Sequence, residues 1–401
     1  MSGIEQGMEQ GATAGAGTPA GAGTAGDPSV RPRTSTRDRA EQRVRLAEWL
    51  GQHLPDPEVS ELSGPAATGM SSETLLFDVA WTEGGERRTA SWVARVAPDL
   101  AAVPVFPTYA MDHQFQLIQE VEARTSVPVP HPRWYEADET YLGAPFFVMD
   151  RVEGQVPPDL MPYTFGDNWL YDASPAEQRR LQETATQTLA ALHGFDAASA
   201  APFLAEASAS HAGDTALRRH VASQWAYYEW VVAGNERSPL IERGFRWLDE
   251  HWPAHEGPTA LSWGDSRIGN MMFRDFQPVA VLDFEMASLG PAEIDLAWFI
   301  FLHRFFQDLT EQAGMPGMPG FLHRDDVTAT YEKHGGREPR DLDFYLLYAA
   351  LRHAIVMTRV TRRSIHFGEA EMPADPDDLI IHRPTLEEML AGTYWSRLST
   401  G

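Results

Sequence analysis

The chain has 401 residues, enough for two lobes with a sizeable core, and no cysteine, which excludes disulfides, zinc–thiolate sites and a thiol nucleophile. Its 32 basic and 57 acidic residues leave a net charge of −25, which disfavours nucleic acid and anionic membranes and either steers a cationic substrate or simply serves solubility. No run of about 18 apolar residues is present, so no membrane span is expected, and residues 1–25 lack the basic start and apolar stretch of a Sec signal, so the expected location is cytoplasmic.

Residues 1–36, rich in Gly, Ala and Thr with few large apolar side chains, read as a disordered tail. The spacing of Val44, Leu46, Leu50 and Leu54 predicts a helix over 37–54, broken by Pro55 and Pro57. Strands are expected at 75–81 and 91–96, joined through the turn Glu83-Gly84-Gly85-Glu86. A helix over 111–124 follows, then the extended run Val127-Pro128-Val129-Pro130 and a buried strand at 145–150. From Ser174 onward the pattern is helical, with segments at 176–193 (ended by Gly194), 217–233, 241–251, 294–308, 326–334, 341–362 and 385–390. No internal repeat is present. The division expected is 1–36 tail, 37–153 small lobe with an antiparallel sheet, and 154–401 larger, mostly helical lobe, an α+β fold.

Between the helices lies Trp263-Gly264-Asp265-Ser266-Arg267-Ile268-Gly269-Asn270, followed by the strand-like run 278–282 and then Asp283-Phe284-Glu285. Asp265 stands five residues before Asn270, and Asp283 thirteen after it. A lone Asp or Asn is common in turns. The combination, with Leu261 before it and a strand leading into the second Asp, has the layout of a kinase catalytic loop and its metal-binding carboxylate. Phosphoryl transfer needs a carboxylate facing the acceptor hydroxyl, here Asp265, and oxygen donors to Mg²⁺, here Asn270 and Asp283.

On these residues the chain resembles the aminoglycoside phosphotransferase family of kinase-like small-molecule enzymes, whose usual motif is His-Gly-Asp, four residues, Asn. The likeness extends to 146–154 as the hinge, to Leu189-Ala190-Ala191-Leu192-His193, and to Gly290-Pro291 with Asp295-Leu296-Ala297. The run of hinge, insert 155–173 and Asp-Phe-Glu-Met-Ala is also similar to the kinase domains fused to acyl-CoA dehydrogenases. The resemblance implies a two-lobe protein-kinase-like fold and Mg²⁺-ATP as phosphoryl donor. The acceptor would be a small-molecule alcohol: aminoglycoside-like, an amino alcohol or a hydroxyacyl compound. The insert's Pro157, Pro158, Tyr163, Phe165, Trp169 and Tyr171 favour a partly apolar acceptor over a polycationic sugar.

In the small lobe, 64–72 is the place for a phosphate-covering loop, with Ser71 and Ser72 as candidate donors. Arg95 occupies the position of the usual phosphate-binding Lys. It can clamp phosphate bidentately, and the change also matches a chain with one lysine, Lys333. Gln114 stands where the family offers a Glu to that base. Phe147 and Met149, with Val148, are expected to hold adenine. Arg267 either neutralises the transferred phosphoryl group or pairs with a nearby carboxylate. Glu285 is a second-metal candidate or a loop carboxylate. Trp263 replaces the family's His as a packing anchor, Asp295 is expected to bond the loop backbone, and His193 to be a satisfied buried histidine. The alternative reading is a pseudokinase, motivated by Arg95, Gln114 and Trp263.

Overall fold

The computed structural model of the chain describes residues 37–64, 72–99, 103–159 and 161–395. The small lobe opens with α1 (Arg39–Leu50), capped by the Asp38 carboxylate, which accepts from the amides of Ala40 and Glu41. Its apolar side, Leu46, Trp49 and Leu50, is buried. The short β1 (Glu58–Val59) pairs with β2 (Glu73–Glu83), which turns into β3 (Glu86–Val96). The turn residues Gly84 and Gly85 have φ of 59° and 85°, the left-handed geometry a tight hairpin requires. α2 (Met111–Arg124), β4 (Pro132–Glu136), α3 (Glu139–Leu142) and β5 (Phe146–Asp150) complete the lobe.

Among the described residues these strands form one antiparallel sheet in the order β1-β2-β3-β5-β4. Trp49 packs edge-on to Phe146 at 4.8 Å, and Trp92 packs edge-on to Trp134 at 5.2 Å. Burying an aromatic ring of this kind contributes roughly 1.5–3 kcal/mol.

The chain then enters the helical lobe, where Gln155 forms a bridge with Phe273. α4 (Pro175–His193) begins in a capping box of Ser174 and Glu177 with Pro175 in its first turn. α5 (Ala197–Ala200), α6 (Pro202–Ala209), α7 (Ala216–Val232) and α8 (Pro239–Glu250) follow. Two short ladders come next: β6 (Thr259–Ser262) pairs with β9 (Ser288–Pro291), and β7 (Met271–Arg274) with β8 (Gln277–Val281). The catalytic-type segments lie in the connections of these ladders. α9 (Glu293–Gln312) and α11 (Leu342–His366) form the middle of the lobe, with Leu296, Ala297, Leu347, Leu351 and Ile355 fully buried. α10 (Arg324–Lys333) and α12 (Arg383–Leu390) flank them.

The result is the two-lobe α+β arrangement that the resemblance implies. The second hairpin strand is longer than the expected 91–96, because the polar residues Glu86 to Thr89 pair as far as the turn. β4 escaped the sequence reading because it opens on Pro132. It is an edge strand, where proline is tolerated at the first position.

Candidate active site

β6 ends at Ser262 and delivers Trp263 and Gly264 into a tight bend. Gly264 has φ 93°, and a Cβ there would lie 2.6 Å from the Met286 carbonyl carbon, so only glycine fits. The bend presents Asp265, whose carboxylate is held on both oxygens. Oδ1 accepts from the Trp298 indole N–H at 2.8 Å. Oδ2 accepts from the Asn270 amide at 2.7 Å and from Arg267 Nε at 2.9 Å. Its side chain keeps 19% exposure, so a face of the carboxylate stays open to the cleft.

Asp283 follows β8 and adopts φ 62°, a left-handed conformation that Asp tolerates better than most residues. Arg95 of β3 reaches it across the cleft, with Nη2 3.2 Å from Oδ1, while Nη1 donates to Thr74 Oγ1 at 3.1 Å. Asn270 spends its side-chain N–H groups on Asp265, on both the main-chain oxygen at 3.0 Å and Oδ2. Its amide oxygen is thereby left for another ligand. The Leu282 amide donates to the Asn270 carbonyl at 2.9 Å, so Asn270 and Asp283 are tied side by side. One carboxylate and one amide oxygen fit Mg²⁺, which keeps waters and takes phosphate oxygens for its remaining positions. Among the described residues no group of three or more His, Asp or Glu side chains stands ready to hold a metal by itself.

Behind the loop, the fully buried Asp295 on the first turn of α9 accepts from the Trp263 amide at 2.6 Å, the Gly264 amide at 3.1 Å, Ser262 Oγ at 2.8 Å and His193 Nε2 at 3.1 Å. Burial pushes this carboxyl up, but His193, Ser262 and Trp263 outweigh it and hold the pKa below the ordinary value. His193 is satisfied on its other nitrogen by the Tyr331 hydroxyl at 2.8 Å. Trp263 is fully buried, and its indole N–H is shared between the carbonyls of Leu282 at 2.9 Å and Asp283 at 3.1 Å. It therefore links the two acidic segments by hydrogen bonding as well as by packing.

Arg267 is paired on both sides, by Asp265 and by Asp159 from the insert. Burial alone would lower its pKa, but the two carboxylates hold it above the ordinary value. Gly269 leaves room for this pair: a Cβ there would sit 2.6 Å from Asp159 Oδ1.

The nucleotide-side candidates divide. β3–β5 register places Arg95 opposite Phe147 and Val93 opposite Met149, so all four side chains share one sheet face. β5 is paired on both edges, however, so the main-chain groups of Phe147 and Met149 serve the ladders rather than a ligand. Phe147 is buried beneath Phe115 of α2. Ser72 is 3% exposed and its hydroxyl has no partner among the described residues, so it is packed rather than displayed. Ser71 lies outside the described residues. Gln114 bonds Met111 Sδ at 3.8 Å and makes no described hydrogen bond to Arg95, whose acidic partner is Asp283.

Trp298 and Asp159 escaped the sequence reading, and nothing in the sequence showed that Arg352, on an apolar helix, reaches this site. Trp298 follows Asp295 by one helical turn on α9, and that spacing was the available signal. Asp159 gave none, since its partner lies 108 residues away. Arg352 is 1% exposed, stacks over Trp298 at 4.6 Å and donates to the Gly264 carbonyl at 3.1 Å. The insert's aromatics are largely committed to packing: Tyr163 is buried and hydrogen-bonded to His303 at 2.9 Å, and Trp169 packs against Phe276.

The segment before α2 crosses to the helical lobe. Val105 and Pro104 carbonyls accept from Tyr227 at 2.9 Å and from Arg359 at 2.8 Å. Burial, and secondarily the Glu285 carboxylate, raise the pKa of Tyr109 there.

The profile of the phosphotransferase enzyme family matches residues 70–333. Human acyl-CoA dehydrogenase family member 11 is 26% identical over 296 residues, covering 68% of this chain and 35% of that protein. The chain thus spans about a third of the length of such relatives. Among solved structures, a provisionally assigned aminoglycoside phosphotransferase from Ralstonia eutropha JMP134 superposes with TM-score 0.60 at 22% identity, covering 88% of this chain and 98% of that one. APH(2″)-IIa, in complex with streptomycin and ATP, gives TM-score 0.51 at 14% identity, covering 90% and 99%. Among the described residues no helix is long and apolar enough to cross a membrane.

Proposed function

The chain belongs to the phosphotransferase enzyme family, and from that premise we propose that it moves the γ-phosphoryl group of Mg²⁺-ATP to a hydroxyl of a small molecule. The observation that carries this reading is the doubly held Asp265 carboxylate standing beside Asn270 and Asp283. Asp265 would accept the acceptor's hydroxyl proton, with Trp298 and Asn270 fixing its orientation. Asn270 and Asp283 would hold Mg²⁺, which when bound supplies charge neutralisation at the phosphates. Arg95 would leave Asp283 for a phosphate oxygen, a bidentate partner for guanidinium. Arg267, already neutralised by two carboxylates, positions Asp265 rather than offering a free charge to the phosphoryl group. The remaining barrier reduction comes from holding the reactants in line.

For the acceptor, the acyl-CoA dehydrogenase family relatives support a hydroxyacyl or other amphipathic alcohol. An aminoglycoside or an amino alcohol is the competing outcome of the screen. With a net charge of −25, neither nucleic acid nor an anionic membrane is expected as a partner.

The test is titration calorimetry of ATP with and without Mg²⁺ on wild type, Asp265→Ala and Asp283→Ala, followed by an acceptor screen. Mg²⁺-dependent binding should weaken at least tenfold in Asp283→Ala. It should persist in Asp265→Ala, where turnover is lost. Binding without turnover on any hydroxyl acceptor would move the protein to the pseudokinase reading. A folded wild type that binds no nucleotide would refute both.

A further inference from the structure

A cavity of about 670 Å³ opens on the far side of the catalytic-loop anchor, between the start of α9, the end of α4, the end of α10 and the loop before β6. This volume lies in the range of small-molecule sites. Its most informative group is Glu293, 7% exposed on the first turn of α9. The Glu293 carboxylate takes only main-chain donors, its own amide and, weakly, the Arg340 amide at 3.5 Å to Oε1, and no described side chain pairs with it. Room for the other oxygen is made by Gly257, where a Cβ would lie 2.6 Å from Oε2. A buried carboxylate is ordinarily paired, because removing its charge from water is costly. Burial accordingly raises the pKa of Glu293, and the site would gain from a cationic partner.

The cavity also contains Arg337 and Arg340, exposed and without a side-chain partner among the described residues, with the exposed Glu338 between them in the chain, while its other carboxylate, Glu256, is taken by Thr215 and Trp252. A carboxylate at depth and guanidinium groups at the mouth select a ligand with charge at both ends. We propose that this cavity binds a small zwitterion, with its ammonium group on Glu293 and its carboxylate on Arg337 and Arg340. The site is separate from the Asp265–Asp283 cleft and does not depend on the phosphotransfer reading. Its wall includes His193 and Tyr331, so an occupant would touch the Tyr331–His193–Asp295 chain that holds Trp263 and Gly264.

The experiment is titration calorimetry of the full chain with ω-amino acids from glycine to 8-aminooctanoate, with hexylamine and hexanoate as one-ended controls. One chain length should bind best, at least tenfold tighter than either control. Glu293→Gln, which keeps shape and removes charge, should weaken that ligand at least tenfold, and Arg337→Ala with Arg340→Ala should do the same. Circular dichroism establishes that each variant is folded. Equal binding of hexylamine, indifference to chain length, or unchanged affinity in folded Glu293→Gln would each overturn the proposal.

Discussion

Replacing Asp295 should cost the protein more stability than replacing Asp265, although both are acidic and belong to one constellation. Asp295 is fully buried and takes hydrogen bonds from two backbone amides, a hydroxyl and an imidazole. In Asp295→Ala the Ser262 hydroxyl and the His193 ring can turn elsewhere, but the Trp263 and Gly264 amides cannot. Each buried donor left unsatisfied costs about 1–3 kcal/mol, so the loss is roughly 2–6 kcal/mol before the small cavity is counted. Against a typical total of about 5–15 kcal/mol, that is a large fraction.

In Asp295→Asn one oxygen still accepts, while the new NH₂ faces donors, so roughly half the loss should remain. The assay is thermal and urea unfolding followed by circular dichroism, with amide hydrogen exchange at Trp263 and Gly264. A fall in midpoint of roughly 3–8 °C is expected for Asp295→Ala. Asp295→Asn should fall in between, with exchange at the two amides accelerated in both variants. A wild-type midpoint in Asp295→Asn, or protected Trp263 and Gly264 amides in Asp295→Ala, would refute the anchor argument.

Gly269→Ala should leave stability nearly unchanged, because the atoms its Cβ meets are ends of flexible side chains. It should displace the Arg267–Asp159 pair and lower turnover about tenfold with nucleotide affinity intact, a split read from kcat against titration calorimetry. Trp263→Phe should lower stability by about 2–4 kcal/mol through a lost donor and lost volume, measured by urea unfolding. In that variant Mg²⁺-dependent nucleotide affinity should also drop, because the indole holds the Asp283 carbonyl. Acid should destabilise the fold below pH about 6.5, because burial lowers His220 and His303 to about 3 and His382 to about 4. In that window the unfolded chain binds protons that the folded chain refuses, so stability is full above the unfolded pKa and is lost as pH falls towards the folded values, by at most about 1.4 kcal/mol per pH unit for each histidine. Urea midpoints that stay flat from pH 7 to pH 5 would contradict this.

What the sequence made legible followed from local chemistry. The Gly84-Gly85 turn, α2 and the end of α4 at Gly194 rest on short-range rules, and the chain obeys them. The Asp265, Asn270 and Asp283 constellation was legible because its members lie within a short stretch, joined by one hairpin. Partners distant in sequence were not legible. Asp159 reaches Arg267 across 108 residues, and Arg95 reaches Asp283 across 188. No periodicity encodes such pairs; only the packing of the lobes creates them. The same limit explains Gln114. Alignment put Gln114 where the family has a Glu and left Arg95's partner open; a carboxylate from the other lobe takes that place. In the insert, Tyr163 is buried in the lobe's core and Trp169 packs against Phe276, while Asp159 reaches the Asp265 loop, a role its composition did not signal.

The two carboxylates of the cleft are held in different ways, and the difference bears on what each can do. Every described hydrogen bond to the Asp265 side chain comes from the helical lobe: Trp298, Asn270 and Arg267. Those groups are themselves fixed, Trp298 beneath Arg352 and Arg267 against Asp159. Asp265 is therefore pre-oriented without help from the small lobe, which is what a proton acceptor in a positioning mechanism needs. Asp283 has its backbone fixed by Trp263, while its carboxylate is bound by Arg95 from the sheet. That ion pair retains only 14% and 18% side-chain exposure, so displacing it requires new partners for both charges, which a cation at Asp283 and a phosphate at Arg95 would supply. The geometry thus separates a carboxylate held within one lobe from an ion pair that joins the two lobes.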